Sequence, residues 1–194
     1  MQKGILIGGY ASIRWYYYPL KSWLMEQGVE CEILPHGFFG WNVGDMGRFL
    51  GEASEIVLAQ KESIYLFGHS LGGLQSMWIA SHFPKKIRHV FAIASPICGL
   101  ENSSQQEEFL RALNVTNEQF IALRDVHVPH IKNRITTVSS EKDIVCPANQ
   151  CYIEGADNNV VEMTEHERRL FPALSTHLVL PYLNATKQCI LKKL

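Results

Sequence analysis

Gly68-His69-Ser70-Leu71-Gly72-Gly73 is the stretch of this chain whose residue types and spacing could do chemistry. It fits G-x-S-x-G, in which a serine hydroxyl acts as nucleophile. Three fixed positions match by chance in roughly one chain in fifteen of this length. The weight therefore falls on the setting. The apolar run Ser63-Ile64-Tyr65-Leu66-Phe67 comes before the motif, and Leu71, Leu74 and Trp78 follow it at helical spacing. A strand, a tight turn and a helix in that order would present Ser70 at a helix N-terminus. There the N–H of Leu71 and the positive end of the helix dipole meet developing negative charge. Such a turn forces a residue with a Cβ into a costly backbone conformation. Gly68 and Gly72 would let strand and helix approach closely. The bland alternative is a glycine-rich turn with an incidental serine.

The elements that must hold such a turn follow from the rest of the chain. Its 194 residues suit a single domain with a substantial core. Hydrophobic residues make up 46% and charged residues 19%, which excludes a disordered chain. The formal net charge of -1 gives no global attraction to nucleic acid or anionic lipid. No stretch approaches the ~20 apolar residues that span a bilayer. Met1-Gln2-Lys3 leads at once into Gly4-Ile5-Leu6-Ile7, too short an apolar run for a secretory signal, so a cytoplasmic location is expected unless a leader has been removed. The five cysteines, Cys31, Cys98, Cys146, Cys151 and Cys189, are odd in number and scattered, and are expected to be reduced and mostly buried.

Short apolar runs alternate with helical patterns. The runs are Ile5–Ile7, Glu30–Leu34, Ile64–Phe67, Val90–Ala94, Ile135–Val138 and Val160–Glu162. Most lack period-two alternation, as expected of parallel strands covered on both faces. Helices are expected over Pro19–Gln27, Asp45–Gln60 and Leu71–His82. This alternation predicts an α/β fold, a doubly wound and mostly parallel sheet with helices on both faces. One domain over 1–194 is expected, with a small helical cap or insertion at about 101–132, where the rhythm breaks.

With the motif and its setting in view, the chain resembles the α/β-hydrolase superfamily in a minimal form, and more narrowly the compact lidless bacterial lipases and esterases. The likeness runs from Lys3 to about Phe83 and returns near Asp143 and His177. It implies an acid and then a histidine after the serine in chain order. Asp143 fits the acid, in a Ser-rich turn (Ser139-Ser140-Glu141-Lys142-Asp143) after an expected strand. Glu141 and Asp157 are lesser candidates, and a turn aspartate capping its own backbone is the plain alternative. For the base, order leaves His166 and His177. His166 sits in the charged run Glu165-His166-Glu167-Arg168-Arg169. His177, in Ser175-Thr176-His177-Leu178-Val179, resembles the family's histidine loop and is favoured. His69 is expected to turn away from the site and to be structural.

The resemblance further implies an oxyanion hole from the N–H of Leu71 and of Tyr10. The family usually has His-Gly after the first strand. Here Gly8-Gly9 stands there, which removes a structural support but not the backbone donor. Trp15 and Phe38 are expected to contact substrate, among a cluster that includes Tyr16, Tyr17, Tyr18, Phe39 and Trp41. The implied activity is hydrolysis of carboxylic esters through an acyl-serine. An acyl thioesterase with the same triad, or a non-catalytic binding protein on this fold, are the alternatives. No metal or organic cofactor, no nucleic acid and no stable membrane insertion are implied. The partner is a small acyl ester or thioester, and the oligomeric state is left open.

Overall fold

The computed structural model describes residues 1–9, 12–34, 43–98, 116, 118, 125, 128–171 and 175–194, with backbone alone for 43–50. Six strands among them form one sheet: β1 (Gln2–Ile7), β2 (Val29–Leu34), β3 (Ile64–His69), β4 (Ile87–Ile93), β5 (Ile135–Ser139) and β6 (Asp157–Val160). All neighbouring pairs are parallel, in the order β2-β1-β3-β4-β5-β6. Strand order therefore reverses between β1 and β3, and ligands of open α/β sheets bind beyond the carboxyl ends at such a switch point.

The connections place helices on both faces, because the chain crosses in opposite directions on either side of β1. Helix α1 (Tyr18–Glu26) links β1 to β2, and starts with Pro in its first turn. Its chain turns at Gly28, where φ is 83° and glycine carries no Cβ penalty. Helix α2 (Val43–Ala59) links β2 to β3, and α3 (Leu71–His82) links β3 to β4. Ile5 and Ile7 pack with Leu66, Val57, Leu74 and Met77 on one face. Leu6, Tyr65 and Phe67 pack with Leu20, Leu24 and Ile190 on the other. Successive strand residues thus enter two different cores, so both parities are apolar. The rings of Phe67 and Phe91 stack at 5.0 Å across β3 and β4.

The last strand differs from its expected place. It is Asp157–Val160 rather than Val160–Glu162. This edge strand is polar and is held through its side chains as well as its ladder. Thr137 Oγ1 donates to Asn158 Oδ1 at 2.9 Å, and Asn158 also accepts the N–H of Ile153 at 2.9 Å. An apolar-run criterion passes over such a segment. Val161 and Met163, just beyond it, supply the buried apolar contacts. The expected cap at about 101–132 lies outside the described residues except for 116, 118, 125 and 128–132. All five cysteines are free thiols, and Cys98 alone is only partly buried.

Among the described residues, no helix is long and apolar enough to cross a membrane.

Candidate active site

Ser70 stands between β3 and α3 with φ 55° and ψ −126°. A residue with a Cβ adopts that conformation at a cost of about 1–3 kcal/mol, so the surroundings must impose it. Two close approaches do so. A Cβ on Gly68 would lie 2.3 Å from the carbonyl oxygen of Gly72, and one on Gly72 would lie 2.2 Å from that of Ile7. The strand ends and the helix therefore touch through bare backbone. Ser70 N–H donates to the Ile93 carbonyl at 2.8 Å, and the next residue on that strand end, Ala94, is also at positive φ, 49°. Leu71, buried, is the first residue of α3, where helix geometry leaves its N–H without an intrahelical acceptor.

Asp143 lies in the loop after β5 and is 1% exposed. Its Oδ1 accepts the N–H groups of Val145 and Cys146, both at 2.9 Å. Its Oδ2 lies 2.8 Å from His177 Nδ1. The carboxylate thus caps its own turn with one oxygen and orients an imidazole with the other. The loop is tied to the chain beyond β6 through Ser140 Oγ, which donates to Glu162 at 3.0 Å, and through the Lys142–Glu162 ion pair at 3.3 Å.

His177 sits on the short helix α5 (Thr176–Val179), after α4 (Glu165–Leu170) and before α6 (Asn184–Leu191). The distance in sequence from β6 to His177 is bridged by Glu167. This buried carboxylate accepts from Thr164 N–H at 2.8 Å in a capping box and from Asn184 N–H at 2.9 Å. Burial raises its pKa, but these backbone donors outweigh burial and hold it below the ordinary carboxylate value. One side chain therefore pins both ends of the segment that carries His177.

Ser70 and His177 line one cavity of about 390 Å³, together with Gly9, Ser12, Ile13, Trp15, Tyr16, Tyr17, His69 and Leu178. That volume and its aromatic and aliphatic walls suit a small apolar ligand. A Cβ on Gly9 would lie 3.3 Å from Ser70 Oγ, so the loop after β1 runs directly past the serine. Trp15 stands at the rim, 66% exposed.

The other expected residues fall elsewhere. His166 and Glu141 are exposed and line no part of this cavity. Asp157 begins β6 beside Thr136, and so lies at the opposite end of the sheet from Ser70, paired with Lys193 at 3.0 Å. Tyr10 and Phe38 lie outside the described residues. His69 does not turn away as expected; its ring lines the cavity, with Nδ1 2.9 Å from Tyr17 Oη and Nε2 3.0 Å from the His177 carbonyl oxygen. Tyr16, Ser12 and Leu178 join the site without having been singled out for contact. The aromatic run Trp15-Tyr16-Tyr17-Tyr18 is a signal for Tyr16 alone, and it does not tell a pocket wall from a packing residue.

Burial is the main cause that lowers the pKa of two histidines, His69 to about 3 and His89 to about 4. His89 lies on β4, where Nε2 meets Thr136 Oγ1 at 2.8 Å. The folded values lie below the unfolded value of about 6.5, so the unfolded chain binds more protons as the pH falls below that point. This stability is complete above pH ~6.5 and is lost progressively toward pH 3–4. At pH 5 the loss is about 2 kcal/mol per histidine. Urea midpoints are expected to fall between pH 6.5 and 5, and His89→Gln, which keeps a donor for Thr136, should remove about half of the slope. An unaltered slope in that variant would contradict a neutral buried His89.

No curated protein matches the chain. The family described as alpha/beta hydrolase fold matches residues 33–122. A lipase-esterase related protein from Clostridium acetobutylicum is 13% identical with a TM-score of 0.66, covering 100% of this chain and 94% of that one. The lipase BlEst2 of Bacillus licheniformis is 11% identical with a TM-score of 0.67, covering 98% and 91%. A monoacylglycerol lipase of Paleococcus ferrophilus is 15% identical with a TM-score of 0.59, covering 92% and 94%. At these identities the likeness is one of fold. The parallel sheet, the strained turn at Ser70 and the matched segment together give this chain the α/β-hydrolase fold.

Proposed function

We propose that this protein is a serine hydrolase that cleaves carboxylic esters through an acyl-Ser70 intermediate. The observation that carries the reading is the 2.8 Å contact of His177 Nδ1 with the buried Asp143, made by a histidine that shares its cavity with Ser70. With Nδ1–H donated to Asp143, Nε2 of His177 is free of its proton and can accept that of Ser70 Oγ. Ser70 Oγ then attacks the ester carbonyl. The oxyanion that forms is met by the N–H of Leu71 and, from the loop after β1, by that of Tyr10. His177 returns its proton to the departing alkoxide. Water, deprotonated by His177, attacks the acyl-Ser70 carbonyl; the bond to Oγ breaks, His177 returns the proton to Ser70 Oγ, and the acid is released. Asp143 stabilises the transient imidazolium without taking its proton.

The walls Ile13, Trp15, Tyr16 and Leu178 favour an ester with an apolar chain. Trp15→Ala is expected to raise KM for p-nitrophenyl esters about 3–10-fold with little change in kcat, since rim contacts bind ground and transition states alike. A fall in kcat with KM unchanged would instead give Trp15 a role in the transition state.

The deciding experiment is a fluorophosphonate probe on the purified chain, with the adduct located by mass spectrometry. Labelling on Ser70 that vanishes in Ser70→Ala and His177→Ala is expected. No labelling of the folded wild type would overturn the mechanism and favour a binding protein on this fold. Parallel assays on p-nitrophenyl esters and acyl thioesters separate esterase from thioesterase.

A further inference from the structure

The steps above leave two polar groups in the cavity wall without a task, the Tyr17 hydroxyl and the His69 imidazole. Gly9 N–H donates to Tyr17 Oη at 3.0 Å. Tyr17 Oη lies 2.9 Å from His69 Nδ1, and His69 Nε2 lies 3.0 Å from the carbonyl oxygen of His177. The direction of each bond follows from the atoms. A carbonyl oxygen only accepts, so Nε2 of His69 carries the proton. In a neutral imidazole the other nitrogen then accepts, so the Tyr17 hydroxyl donates to Nδ1 while its lone pair takes the Gly9 N–H. One unbroken run of donors leads from the loop after β1, through the residue beside Ser70, to the backbone of His177.

We propose that Tyr17 and His69 are positioning residues, a buried hydrogen-bonded brace that sets the spacing of the oxyanion loop, the Ser70 turn and the His177 loop. The role rests on the reading of Ser70 as nucleophile and His177 as base. The space around Gly8 supports it. A Cβ at that position would fall 2.2 Å from Ser12 Oγ and 2.8 Å from Tyr17 Cε2. The room that a side chain at position 8 would need is thus taken by Tyr17 and Ser12. Tyr17 supplies from the end of a 3-10 turn, Arg14–Tyr17, the support that Gly8 cannot give. Ser12 Oγ closes the same loop by donating to the Gly9 carbonyl at 2.7 Å. The neighbouring Tyr16 hydroxyl donates to the Leu178 carbonyl, so two successive carbonyls of the base loop are held from this side.

Two consequences follow for the chemistry. The Gly9 N–H is engaged by Tyr17 and cannot serve as an oxyanion donor. The His69 and His177 rings lie 5.0 Å apart, so a charge on His69 would oppose the imidazolium that forms on His177. A neutral His69 held by Tyr17 avoids that conflict.

The test uses the full chain as wild type, Tyr17→Phe, His69→Gln and His69→Leu. Long-range 1H–15N spectra of the wild type are expected to show His69 as the neutral Nε2–H tautomer from about pH 5 to 8. An Nδ1–H tautomer or an imidazolium there overturns the brace, whatever the variants do. Fluorophosphonate labelling of Ser70 is expected to slow about 10–100-fold in Tyr17→Phe, with kcat on p-nitrophenyl butyrate falling alike and KM within about twofold. His69→Gln keeps one donor and one acceptor, and is expected to stay within about threefold of wild type, while His69→Leu falls with Tyr17→Phe. Labelled wild type beside a Tyr17→Phe or His69→Leu that reacts equally fast overturns the positioning role alone. A wild type that does not label overturns the hydrolase reading and the role that rests on it.

Discussion

Ser70→Gly is expected to abolish ester hydrolysis and, at the same time, to raise the melting temperature. Loss of the nucleophile from a working triad costs about 10⁵–10⁶-fold in kcat. The gain in stability has a separate cause. Ser70 is held at φ 55° and ψ −126°, a conformation that strains any residue with a Cβ. Glycine relieves strain of about 1–3 kcal/mol but costs about 0.5–1 kcal/mol in extra freedom of the unfolded chain. The balance is about 1 kcal/mol, or a Tm about 2–4 °C higher for a domain of this size. Ser70→Ala is the informative control, because it loses the hydroxyl and keeps the Cβ; it should be as inactive as Ser70→Gly with a Tm near that of wild type. Calorimetry beside an ester assay reads both effects. A Ser70→Gly protein that melts below wild type would refute stored strain at this turn, and one that still turns over ester would refute Ser70 as nucleophile.

Asp143→Asn should lower kcat by about 10⁴-fold while leaving the fold intact. The asparagine carbonyl can replace Oδ1 as acceptor for the N–H groups of Val145 and Cys146, so the loop keeps its turn. The amide nitrogen then faces His177 Nδ1, where Oδ2 had been, 2.8 Å away. Two donors cannot share that contact, so Nδ1 gives up its proton and Nε2 takes it. His177 in that tautomer has no lone pair to offer Ser70 Oγ. The measurement is single-turnover hydrolysis of p-nitrophenyl butyrate, with thermal melting as the check on folding. Activity within tenfold of wild type would mean that Asp143 serves only its own turn, the plain alternative that its two backbone contacts always left open.

Much of the architecture was legible from residue patterns. Apolar runs without alternation marked the strands that are covered on both faces, and α3 begins and ends at Leu71 and His82 as its spacing indicated. Ends of α1 and α2 moved by one or two residues, as frayed helix termini do. The edge strand β6 was displaced because its residues are polar and bond to β5 through side chains as well as backbone, with no apolar run to mark them. Of the proposed site, Ser70 was legible because a strained turn demands glycines at fixed local spacing. Asp143 and His177 were named through a resemblance; nothing local to either residue shows that they meet.

The amino-acid sequence by itself determined the first five strands, the helices α1 to α3, the two-sided core and the turn that carries Ser70, since each depends on neighbours within a few residues. Tertiary structure alone decided what crosses between loops. Examples are the contact of His177 with Asp143 over 34 positions, the pinning of the His177 segment by Glu167, and the path from Gly9 through Tyr17 and His69 to His177. Such contacts join carbonyls, hydroxyls and ring nitrogens whose separation in space is set by the order and register of β1, β3 and β5, and no local periodicity records that order.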